Sequence, residues 1–114
     1  MDTAVSRGRG GPREAEPVTR SVVAALRRAE SRLARALAIN ADDSLPWERR
    51  KRAARRAAAE AERCGRIVRP RGCSWCHERH VLERHHWSYQ EPLNVTFLCP
   101  SCHEIANAIA KEAG

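Results

Sequence analysis

Residues 72–103 read GCSWCHERHVLERHHWSYQEPLNVTFLCPSCH, and two Cys-x-x-Cys pairs, Cys73/Cys76 and Cys99/Cys102, frame the stretch. Twenty-two residues separate the pairs, and the double histidine His85-His86 lies between them. Thiolates at i and i+3 of a tight turn can reach one ion, and two such turns complete a tetrahedral shell of four sulfurs, the donor set of structural zinc. Each pair is followed by a histidine, His77 or His103, which is also the c-type haem attachment pattern. Haem attachment of that kind implies export, and the N-terminus carries no apolar run to direct it. A dithiol redox pair belongs on a strand-helix unit of a larger α/β domain, and disulfides need an oxidising compartment; nothing in the sequence suggests either. The spacing therefore predicts one structural Zn2+ held by Cys73, Cys76, Cys99 and Cys102, in a cytoplasmic protein that is not secreted.

A chain of 114 residues with five Trp, Tyr and Phe side chains, and with Ala supplying much of its apolar content, cannot build a large core. A metal must compensate. The net charge of +7 is unevenly spread: residues 1–70 hold 17 Lys/Arg against 9 Asp/Glu, and the remainder holds 4 against 5. Zinc bound by four thiolates would make that remainder more negative still, so the basic character belongs to the N-terminal part.

Residues 1–17 mix Gly, Pro, Arg and Glu without periodicity and read as a disordered basic arm. Residues 18–66 read as a basic extension of two helices. In the first, Val22, Leu26, Ala29, Leu33 and Leu37 recur at three- and four-residue steps, with Thr19 or Ser21 to cap its start and Asn40 its end. In the second, Ser44 is the expected cap, Pro46 suits the first turn and Gly65 the stop. The short break between them predicts an antiparallel hairpin packed through Leu33, Leu37, Leu45 and Trp47. Arg49, Arg50, Lys51, Arg52, Arg55 and Arg56 place six cations on about two turns, a density suited to neutralising the phosphates of nucleic acid, most simply duplex DNA. No aromatic residue is interleaved with them, so stacking on bases has no support there. Helix pairs of this kind can also join two copies in a homodimer, and no segment reads as a membrane span.

Residues 67–114 form the expected zinc-binding part. His80-Val81-Leu82 and Val95-Thr96-Phe97-Leu98 have strand character, with residues 85–94 as the loop between them. Pro100 opens a helix whose Ile105 and Ile109 are spaced for a core face, while His103 and Asn107 share another face. A knuckle, a hairpin and a helix carrying the second cysteine pair make a small treble clef, so the fold class expected is α+β: a treble-clef zinc domain preceded by a basic helical hairpin. Cys64, the odd cysteine, reads as a small buried residue at a helix end. His77 and His80 read as surface residues or partners of the zinc ligands.

From His85 to His103 the chain resembles the HNH or His-Me finger (ββα-metal) nucleases, and more closely their short zinc-bearing variants common in bacteriophages. Those read roughly His-His-x-x-Tyr-x-x-Pro-Leu-x-Val-x-x-Leu-Cys-x-x-Cys-His, which His85, His86, Tyr89, Pro92, Leu93, Val95, Leu98, Cys99, Cys102 and His103 match in place. The resemblance covers residues 72 to about 110 and says nothing of the first 70. It implies a metal-dependent endonuclease in which His86 is the general base, Asn94 holds the loop that orients it, and His85 and His103 bind a catalytic Mg2+ or Mn2+. Asn107 stands where many relatives carry a third histidine, and its amide oxygen can still bind Mg2+. Only seven residues lie between His86 and Asn94, shorter than in the full nucleases. A non-catalytic DNA- or RNA-binding zinc module, and a zinc-knuckle adaptor between proteins, are the other readings the chain admits.

Overall fold

The computed structural model describes residues 11–113, in the order α1 (Gly11–Ala41), α2 (Trp47–Arg63), β1 (Glu83–His86), β2 (Val95–Leu98) and α3 (Pro100–Ala113). The described residues form a mixed α+β fold of three helices and one two-stranded sheet. Of the arm expected over 1–17, residues 1–10 lie outside the described part, and the rest is the start of α1 instead of disordered chain. Once a helix exists, each further residue adds a hydrogen bond at little cost, and Pro12 suits a first turn whose N–H groups lack partners anyway.

Helices α1 and α2 form the antiparallel hairpin: Asn40 meets Arg50 near the connector, and Arg32 meets Glu60 at the far end. Alanine is what lets them approach. Ala29 and Ala36 of α1 and Ala53, Ala54, Ala57, Ala58 and Ala61 of α2 are buried, with Leu33 the one large side chain among them. Leu37 packs at the edge of this cluster as expected, but Leu45 is only half-buried and Trp47 is 43 % exposed. Trp47 opens α2, past the end of the helix contact, where its ring meets Tyr89 edge-on at 6.4 Å and the Arg50 guanidinium at 5.5 Å. At 1.5 Å per residue α1 is about 46 Å long and α2 about 25 Å, so the upstream part of α1 overhangs. Val22 and Leu26 are consequently exposed despite their periodic spacing.

Two of the expected caps act differently. Helix α2 starts at Trp47 after Pro46, with no side-chain cap; Ser44 instead gives its N–H and hydroxyl to Asp42 in the connector. Asn40 falls inside α1 and is 5 % exposed. Its Nδ2 donates to the carbonyls of Arg50 (3.0 Å) and Tyr89 (2.9 Å), tying α1 to α2 and to the loop after β1. Gly65 does end α2, at φ +85°, where a side chain would be strained, and Arg66 returns its N–H to Ala61 at 2.8 Å. Replacing Asn40 by Ala leaves two partly buried carbonyls without their donor. A loss of about 1–3 kcal/mol in unfolding free energy is expected, read by urea denaturation, with no change in metal content.

The cysteine-bearing part has its own core of Cys73, Leu82, Phe97, Leu98, Cys99 and Ala106. Ile67 packs against both cores, and Arg69 fastens the join: its guanidinium holds Glu62 of α2 at 2.7 and 3.1 Å, donates to the Leu82 carbonyl and lies 4.8 Å over Phe97. The first strand is displaced from expectation. It spans 83–86, not 80–82, and pairs antiparallel with β2 as Glu83↔Leu98, Arg84↔Phe97, His85↔Thr96 and His86↔Val95. The loop shrinks to 87–94, closed by turns from Ser88 to Glu91 and from Glu91 to Asn94. With β2 only four residues long, nothing pairs with His80 or Val81, and both are exposed. On α3 the core face is also different: Ala106 is fully buried, whereas Ile105 and Ile109 are 54 % and 48 % exposed. A two-stranded sheet covers only a narrow stripe of a helix, and the stripe that carries Cys102 and Ala106, one turn apart, takes it.

Candidate metal centre and histidine cleft

The sulfurs of Cys73, Cys76, Cys99 and Cys102 all lie within 4.8 Å of one another, and among the described residues this is the one group of three or more His, Cys, Asp or Glu so gathered. Cys76 and Cys99 are 3.8 Å apart, which is the edge of a tetrahedron whose metal-sulfur bonds are about 2.3 Å, the length for zinc. The first knuckle is shaped for the task. The N–H groups of Trp75 and Cys76 point at Cys73 Sγ at 3.4 and 3.5 Å, and His77 closes the turn at φ +65°. Gly72 is obligatory beside it, because a Cβ there would sit 2.7 Å from the His77 carbonyl oxygen. The second pair straddles the entry to α3.

Protons must leave such a centre when an ion enters. Burial raises the Cys73 thiol, but hydrogen bonds from neighbouring backbone N–H groups outweigh that and hold it at about 6. Cys102 is pushed up to about 12 by burial and by its three neighbouring sulfurs. Four like charges cannot share so small a space without a cation, and a divalent ion supplies it. His77 and His80 are both exposed; His80 approaches Glu78 at 3.8 Å. Cys64 is half-buried at the C-cap of α2 and directs its thiol at the Ala61 carbonyl, apart from the cluster.

Because His85 and His86 are successive residues of a strand, they point to opposite faces of the sheet. On one face His85 is 3 % exposed, with its ring 5.1 Å from that of His103 on α3 and 4.3 Å from Trp87. Its Nε2 is buried with no hydrogen-bond partner. His103 Nδ1 donates to Glu83 at 2.7 Å, which leaves its Nε2 free to bind an ion. On the other face His86 Nε2 donates to the Pro92 carbonyl at 2.8 Å, while its ring stacks on Tyr89 at 5.1 Å. Asn94 holds the loop that presents Pro92, through its N–H to the Glu91 carbonyl and its amide to the Glu91 side chain. Burial lowers the basicity of both histidines; for His86 the Pro92 carbonyl opposes this, and the Arg55 and Arg84 charges add to it. In both rings the neutral form is favoured over the charged one.

A cavity of about 470 Å3 is lined by Arg55, Glu83, Arg84, His86, Tyr89, His103 and Asn107, with Leu82 at its base. Helix α2, strand β1, the following loop and helix α3 all contribute to it. His85 is not among its lining residues; it backs His103 from the side of the sheet. Arg55 is steered here by Tyr89, whose hydroxyl accepts from its Nη2 at 3.2 Å and whose ring it overlies at 5.2 Å.

The six cations of α2 do not share a surface. Arg50 is engaged internally, with the Asn40 carbonyl at 2.8 Å and Asp43 at 3.3 Å. Lys51 pairs with Glu48 and lies over Tyr89, on the side of Arg55. Arg49, Arg52 and Arg56 line a separate cavity against α1. Sequence reasoning missed Glu83 as the partner of His103, Arg84 in the cleft and the bracing role of Asn40. None carries a local signal: Glu83 is 20 residues from His103, and Asn40 is 10 residues from Arg50 and 49 from Tyr89. Among the described residues no helix is long and apolar enough to cross a membrane. No family model, curated protein or solved structure matches the chain, so its function rests on the chemistry this geometry allows.

Proposed function

We propose that the chain is a zinc-stabilised, treble-clef nucleic-acid-binding protein that hydrolyses phosphodiester bonds in the cleft between β1, α2 and α3. The observation that carries this reading is the convergence of a neutral buried histidine, His86, with His103, Asn107 and the guanidinium groups of Arg55 and Arg84 around one cavity. The Pro92 carbonyl can only accept, so it fixes the proton on His86 Nε2 and leaves Nδ1 as the basic nitrogen. That nitrogen takes a proton from water as the oxygen attacks phosphorus. Arg55 and Arg84 hold the phosphate oxygens; a guanidinium matches them with a two-pronged hydrogen bond.

The orphaned Nε2 of His85 beside His103 fits a divalent ion, which His85, His103 and the amide oxygen of Asn107 would hold. Such an ion, Mg2+ or Mn2+, would stabilise charge on the phosphate and leaving oxygen. The Glu83 carboxylate on His103 sets the ring for that purpose.

A second reading, a binding module without catalysis, is favoured by the absence of a third His, Asp or Glu with His85 and His103 among the described residues. A plasmid-nicking assay on protein of measured metal content separates the two. Nicking that needs Mg2+ or Mn2+ while the zinc stays bound is the expected result. Tight binding with no cleavage of DNA or RNA, linear or branched, retires the hydrolytic reading in favour of the module.

A further inference from the structure

Five arginines converge at a second cavity between α1 and α2, one that Tyr89 does not line. Arg32 and Arg35 of α1 face Arg49, Arg52 and Arg56 of α2 across a cavity of about 330 Å3 whose floor is Ala36, Ala53 and Ile39. Arg32 is held to Glu60 at 3.0 Å. The other four have no carboxylate within ion-pair distance among the described residues. Side chains of like charge gathered without counter-charge raise the free energy of the folded chain, so the cluster calls for a polyanion from outside.

Its dimensions and chemistry say which. Every cation is arginine, whose planar fork pairs with phosphate through two parallel hydrogen bonds, where a lysine offers only a point charge. From Arg49 to Arg56 is seven residues of helix, about 10.5 Å, and one strand of a duplex carries a phosphate every 3.4 Å or so of its axis. The groove thus matches about three successive phosphates. Its floor is alanine and isoleucine, and no aromatic ring lines it, so it holds a backbone and reads no bases.

We propose that this arginine groove is a second nucleic-acid site, one that grips the sugar-phosphate backbone at a distance from the histidine cleft. Helix α2 is the wall between the two: Arg55 serves the cleft, and Arg49, Arg52 and Arg56 serve the groove. A strand held along the groove therefore lies on the opposite side of α2 from the cleft that Arg55 lines. The proposal rests on the nucleic-acid part of the functional reading and not on its chemistry.

The test uses the full zinc-loaded chain with no other divalent ion, so that nothing is cut. A short fluorescein-labelled DNA duplex is titrated at several salt concentrations against wild type, against a groove variant (Arg35, Arg49, Arg52 and Arg56→Gln) and against a variant on the α1 overhang (Arg20, Arg27 and Arg28→Gln). Glutamine is tolerated on exposed helix faces, and retained zinc and helicity confirm the fold. In the groove variant the slope of log affinity against log salt should fall by about 0.9 for each phosphate no longer neutralised, so that raising salt from about 50 to 200 mM costs it markedly less affinity than it costs wild type. The overhang variant should stay close to wild type. Equal weakening of both variants would show general charge and no groove. Binding by the groove variant as tight as wild type also overturns the proposal, as does displacement of the duplex by polyglutamate at matched charge, which points to an acidic protein. A chain that binds through the groove yet never cleaves keeps this inference and loses the catalytic one.

Discussion

Stripped of its metal by a chelator, or carrying Cys102→Ser, the protein is expected to lose the fold of residues 71–113 while the α1-α2 hairpin stays helical. The C-terminal core has six buried residues, and two of them, Cys73 and Cys99, belong to the candidate metal centre. Two four-residue strands and one helix lying on them through Ala106 cannot offset the entropy of ordering that much chain. Structural zinc contributes on the order of 10 kcal/mol of apparent binding free energy, comparable with the whole stability of an ordinary domain. The hairpin has a separate cluster built on Leu33 and buried alanines, so far-UV ellipticity should largely survive. The measurement is the NMR dispersion of Leu82, Phe97, Leu98 and Ala106 before and after chelation. Stripped protein that keeps those shifts would refute a structural metal. Acid should weaken the metal in the same way: the ion must displace the proton that Cys102 holds with a pKa of about 12, so affinity falls as pH falls.

His86→Ala should reduce divalent-metal-dependent cleavage by about 100- to 10,000-fold, the range general-base catalysis supplies, while zinc content and duplex affinity stay near wild type. His86 belongs to neither the cysteine centre nor the arginine groove. Since it is buried and bonded to Pro92, the substitution also costs stability, and activity must be compared well below the melting temperature of the variant. His85→Ala and His103→Ala should lose activity by another route, weakened binding of the ion, and excess Mn2+ should restore part of it. Asn107→His adds an imidazole to the His103 face of α3, one turn on, and should keep or raise metal affinity. If His86→Ala cuts as fast as wild type at a temperature where both are folded, His86 only braces the 87–94 loop.

Some elements of the fold are local in origin, and these were legible. A Cys-x-x-Cys turn puts two sulfurs together whatever the rest of the chain does, so the metal centre follows from spacing alone once two such turns exist. An Ala-rich segment is helical by propensity, and Gly65 ends it because a left-handed residue is required there. The side of α3 that carries the core was a different matter. Ile105 and Ile109 have the right spacing and the stronger hydrophobicity, yet Ala106 is buried, because the narrow sheet and the fixed position of Cys102 decide which stripe can be covered.

The sequence by itself determined the cysteine centre, the helix pair and the histidines at issue, since each is announced by short local patterns: two Cys-x-x-Cys turns, two helical periodicities, and the His-His and Cys-His pairs. Only the tertiary structure decided that β1 begins at Glu83, which sets His85 and His86 on opposite faces of the sheet and gives His103 a carboxylate partner 20 residues away. It alone divided the cations of α2, sending Arg55 to Tyr89 and three others to α1. The physical reason is one of range: periodicity names the faces of a helix, but which neighbour each face meets depends on contacts between chain segments that propensity and spacing do not encode.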